Sequence, residues 1–413
     1  MTGADPAAPP VPLREGFTTG TAAAAAARAA VRLLLALARD PEAVLPSPLP
    51  LEDTPLPGGG RLLVPLARLE IEPGPRAQTI RVRAVVVKDG GDDPDATHGA
   101  EIHVLAEVMP GPSGLPASSG PPGNLEILGG LGVGRVTLPG LPVPPGHPAI
   151  NPAPMAQIRA AVAEIIAEKV AEAAARSGPA SESAPAPGLR LTIEVPDGLA
   201  ISRKTMNERL GILGGISILG TAGIVKPFSH DAWLASVTQA LAIARASGLT
   251  QAVLTTGRRS ERFFSAAFPD TPALGLIQAA DFFSASMQAA ARLGFTRVVW
   301  SLFFGKLVKQ AQGFASTHAA SARIDFSRLA VDCLAAGLPP QVAEAAATAN
   351  TAMEVQTLAA PWPQAQALYR RLARTAMAQA RAFAQEAADA PLPGGLGVAL
   401  FDFDGALLLF EEE

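Results

Sequence analysis

The densest polar cluster in the chain is K-D-G-G-D-D-P-D-A-T-H-G, residues 88–99. It leaves a strand-like run and carries two adjacent glycines, so its carboxylates can be held beside Lys88 rather than left to swing in solvent. Asp89, Asp92 and His98 are the candidate catalytic groups: carboxylates to steady charge or accept a proton, and an imidazole to exchange one. A calcium loop is excluded by residue order, because D-x-D-x-D-G with a glutamate at position 12 is not met. The competing reading is a plain solvated turn.

Four further motifs could touch a ligand. G-F-T-T-G-T, residues 16–21, stands directly before an alanine-rich helix, where hydroxyls and free N–H groups suit a carboxylate or phosphate. That makes Thr18, Thr19, Gly20 and Thr21 candidate substrate contacts, against the plainer reading of an N-cap. The run 211–223, G-I-L-G-G-I-S-I-L-G-T-A-G, fits neither nucleotide-phosphate motif, yet Gly214, Gly215, Gly220 and Thr221 could let backbone approach a flat ligand. T-T-G-R-R-S-E, residues 255–261, offers Thr256, Gly257 and Glu261 at a strand end, and G-K-L-V-K, residues 305–309, offers Lys306 and Lys309 on one helix face. His318 is a further candidate, although a lone histidine is more often a structural hydrogen-bonder. F-D-F-D-G, residues 401–405, mimics a phosphatase nucleophile loop but reads as a strand end and turn.

These loops need elements to hold them. The spacing predicts helices over residues 21–39 and 154–176 and strands over 61–70, 79–88, 101–109 and 189–195. Residues 40–60, 110–123 and 177–188, rich in Pro, Gly and Ser, read as loops, the last two as dispensable insertions. Beyond about residue 228 the rhythm changes to helix–strand alternation: helix 231–246, strand 251–255, helix 281–293, strand 296–302, mostly helix to 388, then strand 397–403. Alternation implies a parallel sheet with ligands at the carboxyl ends of its strands. The expected fold is a two-domain α+β / α/β protein. A tail (1–12) precedes an N-terminal mixed-sheet α+β domain (13–228), followed by a C-terminal α/β domain with a largely parallel sheet (229–413).

Composition narrows the function classes. The 413 residues carry 33 basic and 37 acidic groups, net −4, with no basic stripe, which argues against nucleic acid as partner. Arg28 and Arg32 interrupt the most apolar stretch, so no membrane span is expected. A single cysteine, Cys333, excludes an intrachain disulfide and a cysteine-based zinc cluster, and a cytoplasmic location fits.

In series, L-R-E-G-F-T-T-G-T-A, V-V-V-K-D-G-G-D-D-P-D-A-T-H-G-A-E-I, L-P-G-L-P-V-P-P-G-H-P-A-I-N-P, N-E-R-L-G-I-L-G-G-I-S-I-L-G-T-A-G-I-V-K-P-F-S, L-T-T-G-R-R-S-E-R-F and F-G-K-L-V-K-Q-A-Q-G, followed by T-H-A-A-S-A-R, resemble the CbiD family of anaerobic cobalamin biosynthesis, the cobalt-precorrin-5B C(1)-methyltransferases. Ala22 stands where family members often carry cysteine, which argues against an essential thiol there. The resemblance implies methyl transfer from S-adenosylmethionine to C1 of a cobalt-containing tetrapyrrole, giving cobalt-precorrin-6A. It implies no protein-bound metal, since the cobalt belongs to the substrate, and it leaves a homo-oligomer open. Lys88, Lys306, Lys309, His318 and the threonine turn would then meet the substrate's acetates and propionates, and Gly214, Gly215, Gly220, Thr221, Thr256, Gly257 and Glu261 the S-adenosylmethionine. The alternatives are a non-catalytic tetrapyrrole carrier and a phosphate-handling transferase.

Overall fold

The computed structural model describes residues 12–74, 79–109, 125–177, 188–387 and 395–413, so the tail and both expected insertions fall almost wholly outside the described residues. The chain divides into two compact units, Met1–Leu138 with Pro142–Ser229, and Pro139–Leu141 with His230–Glu413.

In the first unit β1 (Gly16–Phe17) leads into α1 (Thr19–Arg39), followed by β2 (Leu51–Pro55), β3 (Arg61–Pro65), β4 (Arg68–Pro73), β5 (Ile80–Val87), β6 (Glu101–Val108), β7 (Leu125–Gly129), β8 (Arg135–Val136), α2 (Pro152–Ser177), β9 (Leu189–Glu194), α3 (Gly198–Ser202), β10 (Ile212–Leu213) and β11 (Ile224–Val225). The main sheet has the order β4-β5-β6-β9-β7, antiparallel except for the β7–β9 pair. Register places Val82 opposite Ala106 and Ala84 opposite Val104, and Val104 in turn opposite Ile193. These residues line the face on which α1 packs, and all are fully buried. The alanine run of α1, Ala22 to Ala27, is likewise fully buried, because small side chains let α1 approach both α2 and the sheet closely.

Helix α1 is long and apolar enough to cross a bilayer, yet 78% of its apolar window is buried inside the unit. Its Arg28 is itself buried, ion-paired to Glu52 and Glu164, while Arg32 Nη1 reaches Glu52 Oε1 at 2.6 Å. Burial pushes the Glu52 carboxyl up, against the pull of Arg32 and Arg28. This ion network explains one departure from expectation. Residues 40–60 read as a loop, but β2 pairs there with β3, turning Glu52 and Thr54 inward. A buried acid that answers buried arginines looks like surface in a hydrophobicity pattern. The single strand expected over 61–70 is two, broken after Pro65: β3 joins β2, and β4 joins the main sheet.

The second unit contains α4 (His230–Ala246), β12 (Gln251–Thr255), α5 (Arg258–Ala267), β13 (Leu276–Gln278), α6 (Phe283–Arg292), β14 (Arg297–Phe303), α7 (Phe304–Ala311), α8 (Phe326–Ala335), α9 (Pro340–Ala347), α10 (Ala352–Ala359), α11 (Ala365–Gln385), β15 (Leu396–Phe401) and β16 (Leu407–Glu412). Its sheet has the order β13-β12-β14-β15-β16, parallel except for the β15–β16 hairpin. Both faces are covered: Leu254, Val298, Trp300, Leu302 and Val398 belong to the large helical core, and Val253, Phe264, Val299 and Phe401 to a smaller cluster on the other face. The chain winds from β12 out to β13, then back across to β14. That reversal makes a topological switch point between β12 and β14, the place where open α/β sheets form their ligand crevice at the carboxyl ends of the strands. F-D-F-D-G forms the hairpin turn after β15, with Asp402 Oδ1 accepting the N–H groups of Asp404, Gly405 and Ala406 at 2.9, 2.7 and 2.8 Å.

Candidate active site

The aspartate loop hangs between β5 and β6 and is braced by the strand before α1. Phe17 N donates to Asp89 O at 2.9 Å, and Asp92 N to Arg14 O at 2.9 Å. The approach is so tight that a Cβ on Gly91, at φ 66°, would stand 2.2 Å from Arg14 O, and one on Gly16 2.4 Å from Asp89 O. Asp89 is ion-paired with the Arg14 guanidinium and accepts Gly91 N–H at 2.9 Å. The Arg14 hydrogen bond outweighs burial and holds its carboxyl below the usual range. Asp92 Oδ2 accepts the Arg14 N–H at 2.6 Å. His98 Nδ1 accepts Gly90 N–H at 3.0 Å, which puts the neutral ring's proton on Nε2. Asp93 Oδ1 accepts Phe228 N–H at 2.9 Å. Phe228 is an exposed non-glycine residue in the left-handed region, φ 54°, a strained geometry that clusters at functional sites.

Several expected substrate contacts have protein partners instead. The Lys88 ammonium is buried and donates to Asp95 Oδ2 at 2.5 Å, and Asp95 Oδ1 also accepts Thr97 N and Oγ1, both at 2.7 Å. Thr18 caps α1, its Oγ1 accepting Thr21 N at 3.2 Å. Thr19 Oγ1 accepts Leu219 N at 2.9 Å, and Thr21 Oγ1 donates to Gly223 O at 2.8 Å. Gly20 N donates to Leu219 O at 3.1 Å. The turn thus grips the glycine-rich run, whose own glycines differ in purpose. A Cβ at Gly215 would meet Gly132 O at 2.1 Å and one at Gly220 would meet Thr18 Oγ1 at 2.3 Å, so both permit chain-on-chain packing, while Gly214 faces open space. Thr221 is exposed beside Gly220.

In the second unit Thr256 and Gly257 follow β12 at the crevice. Gly257, φ 151°, has nothing within 4 Å of a Cβ placed on it, and Glu261 lies in the first turn of α5. Lys306 and Lys309 on α7 meet Asp281 and Thr317, and His318 lies next to Thr317 with its ring centroid 6.4 Å from that of His230. Sequence reasoning placed Asp89, Asp92 and His98 in one loop, and the structure gathers Lys306, Lys309 and His318 around Thr317. It missed Arg14, Asp95, Phe228, Asp281 and His230. The basic Arg14 two residues before the G-F-T-T-G-T motif was the available signal for the first.

Fold and site define a mixed α/β protein with a charged loop in one unit and open strand-end backbone in the other. The CbiD family profile matches residues 7–227, and that of the CbiD C-terminal domain matches residues 316–412. The chain belongs to the CbiD family. A cobalt-precorrin-5B C(1)-methyltransferase of Nitratidesulfovibrio vulgaris is 44% identical over 397 residues, spanning 96% of this chain and 92% of that protein. Another, of Geobacillus kaustophilus, is 42% identical over 343 residues, 83% of this chain and 82% of that one. The crystal structure of a cobalamin biosynthesis protein (cbiD) from Archaeoglobus fulgidus, 26% identical, covers 71% of this chain and 78% of that chain with a TM-score of 0.33.

Proposed function

We propose that the chain is a cytoplasmic enzyme that methylates C1 of cobalt-precorrin-5B, giving cobalt-precorrin-6A, with S-adenosylmethionine as methyl donor. Its 44% identity over 397 residues to an enzyme of that name carries the reading. In this reading an N-terminal α+β domain (13–228) works with a C-terminal α/β domain (229–413). The donor supplies a methyl group already activated on sulfur, and the cobalt arrives with the substrate.

What remains for the protein is orientation, exclusion of water and proton handling, of which orientation alone can be worth roughly 7–11 kcal/mol. Donor binding fits the β12/β14 crevice, where Thr256, Gly257 and Glu261 stand and the Gly257 backbone is open. Gly214 and Thr221, the open members of the glycine run, would face the tetrapyrrole. Thr18, Thr19 and Thr21 position that run through Leu219 and Gly223, and Lys88 positions the aspartate loop through Asp95.

Division of labour within the loop follows from its hydrogen bonds. Asp89, held ionised by Arg14, is a fixed negative charge and a poor base. His98 has its acceptor nitrogen taken by Gly90. Among the described residues Asp92 Oδ1 accepts no hydrogen bond, which leaves Asp92 to take the proton released from the macrocycle. The test is anaerobic turnover of cobalt-precorrin-5B with S-adenosylmethionine, followed by mass spectrometry. Methylated product and S-adenosylhomocysteine are expected, and Asp92→Asn should slow turnover about 10²–10⁴-fold with donor binding intact. Tight tetrapyrrole binding without product would make the chain a carrier and end the enzymatic reading.

A further inference from the structure

The second unit carries an unbalanced cation on the same strand-end edge as Gly257. Asp281 lies just beyond β13, and Lys306 and Lys309 lie one turn apart on α7, directly after β14. Because β12 sits between β13 and β14, the segments bearing these groups flank the Thr256–Gly257 loop. The join is tight: Ala279 N and Ala280 N both donate to Thr255 O, at 2.9 and 3.2 Å, and Ala280 is held at φ 50°.

Lys306 is ion-paired with Asp281 and also donates to Thr317 O at 3.1 Å. Thr317 is pinned from the other side, its Oγ1 donating to Asp281 Oδ1 and its N–H to Asp281 O, each at 2.9 Å. Lys309 Nζ donates to the same Thr317 carbonyl at 3.0 Å. Two ammonium groups thus share one carbonyl and one carboxylate, and the carboxylate belongs to Lys306. Among the described residues no carboxylate lies within ion-pair distance of Lys309, and the other titratable groups of the cluster are His318 and His230. Partial burial, then the charge of Lys306, lowers the Lys309 pKa against the smaller pull of Asp281, a net cost that an anion of its own would offset.

We propose that Lys309 is a carboxylate seat: two of its three ammonium protons remain for one carboxylate of a ligand held in the β12/β14 crevice, while Lys306 and Asp281 position Thr317 beside it. The ligand's identity rests on the methyltransferase reading. Two sources share the chemistry, the amino-acid carboxylate of the methyl donor and an acetate or propionate of the tetrapyrrole.

Calorimetry on the full chain separates them with matched ligand pairs. S-adenosylhomocysteine is set against 5′-methylthioadenosine, which lacks the amino-acid carboxylate, and an octacarboxylate porphyrin against a corrinoid with amidated side chains. Lys309→Met should weaken the carboxylate-bearing member of one pair about 10- to 100-fold, spare its partner, and be rescued by Lys309→Arg. The pair that responds names the source. Lys309→Gln gives the same readout should the methionine variant fail to fold. Unchanged affinity for both carboxylate ligands, or equal loss for both members of a pair, overturns the seat and leaves the enzymatic reading standing. A wild-type chain that binds none of the four overturns both.

Discussion

Removing Asp95 should unbalance the first unit, because it strands a buried charge. Lys88 is 1% exposed and its ammonium meets Asp95 at 2.5 Å, with the Asp95 side chain 21% exposed. Burial alone would raise the Asp95 pKa, but Lys88 and Thr97 together hold it below the usual range. Breaking a buried pair by deleting one partner costs roughly 3–5 kcal/mol, and the partial exposure of Asp95 favours the lower end. Asp95→Ala also forfeits the two 2.7 Å bonds from Thr97, so we expect about 3–4 kcal/mol in all. For a unit of this size each kcal/mol moves Tm by about 2–4 °C, so scanning calorimetry should show a fall of roughly 6–16 °C. The double variant Lys88→Met, Asp95→Ala removes the stranded charge and should regain most of that loss. If Asp95→Ala melts within about 2 °C of the parent, or the double variant melts no higher than the single, the ammonium has another outlet. Lys88 would then return to the set of groups that meet ligand.

Other perturbations test separate parts of the argument. Thr21→Val keeps the shape of a fully buried side chain but removes its bonds to Gly223 O and from Gln157 Nε2, which keep Thr18 N and Pro55 O as partners, and should cost about 1 kcal/mol by chemical denaturation. Glu101 is held down to about 2, first by Arg68 and then by His103. Its contribution is therefore present above the ordinary carboxylate range and lost as pH falls from about 4.5 to about 2, and Glu101→Gln should flatten the pH dependence of Tm in that window. A wild-type slope retained by the variant would contradict this. Cys333, buried and pushed up to about 11 by burial and by Asp332, should resist iodoacetamide at pH 8 until the chain is unfolded.

Local pattern carried much of the architecture. Alternation in residues 80–87 and the alanine run after Thr18 announced β5 and α1, and strand–helix alternation announced the parallel sheet around β12 and β14, because one-sided burial imprints its period on sequence. The order of six motifs named the family, and the aspartate loop declared itself by composition. Which polar groups face ligand was not readable in this way. Lys88 and the threonines looked like ligand contacts because they are polar residues beside glycines. Tertiary contacts set them against Asp95, Leu219 and Gly223 instead, partners up to 202 residues distant in the chain. Glu52 looked like surface until Arg28 and Arg32 made it core. Lys306 and Lys309, equivalent on one helix face, became unequal because Asp281 arrives from another strand end and ion-pairs directly with the first, reaching the second only as a weaker, more distant charge. Burial period is a local property that sequence records residue by residue, whereas the partner of a charge is chosen by which distant segments the fold brings within about 3 Å, and that only the tertiary structure decides.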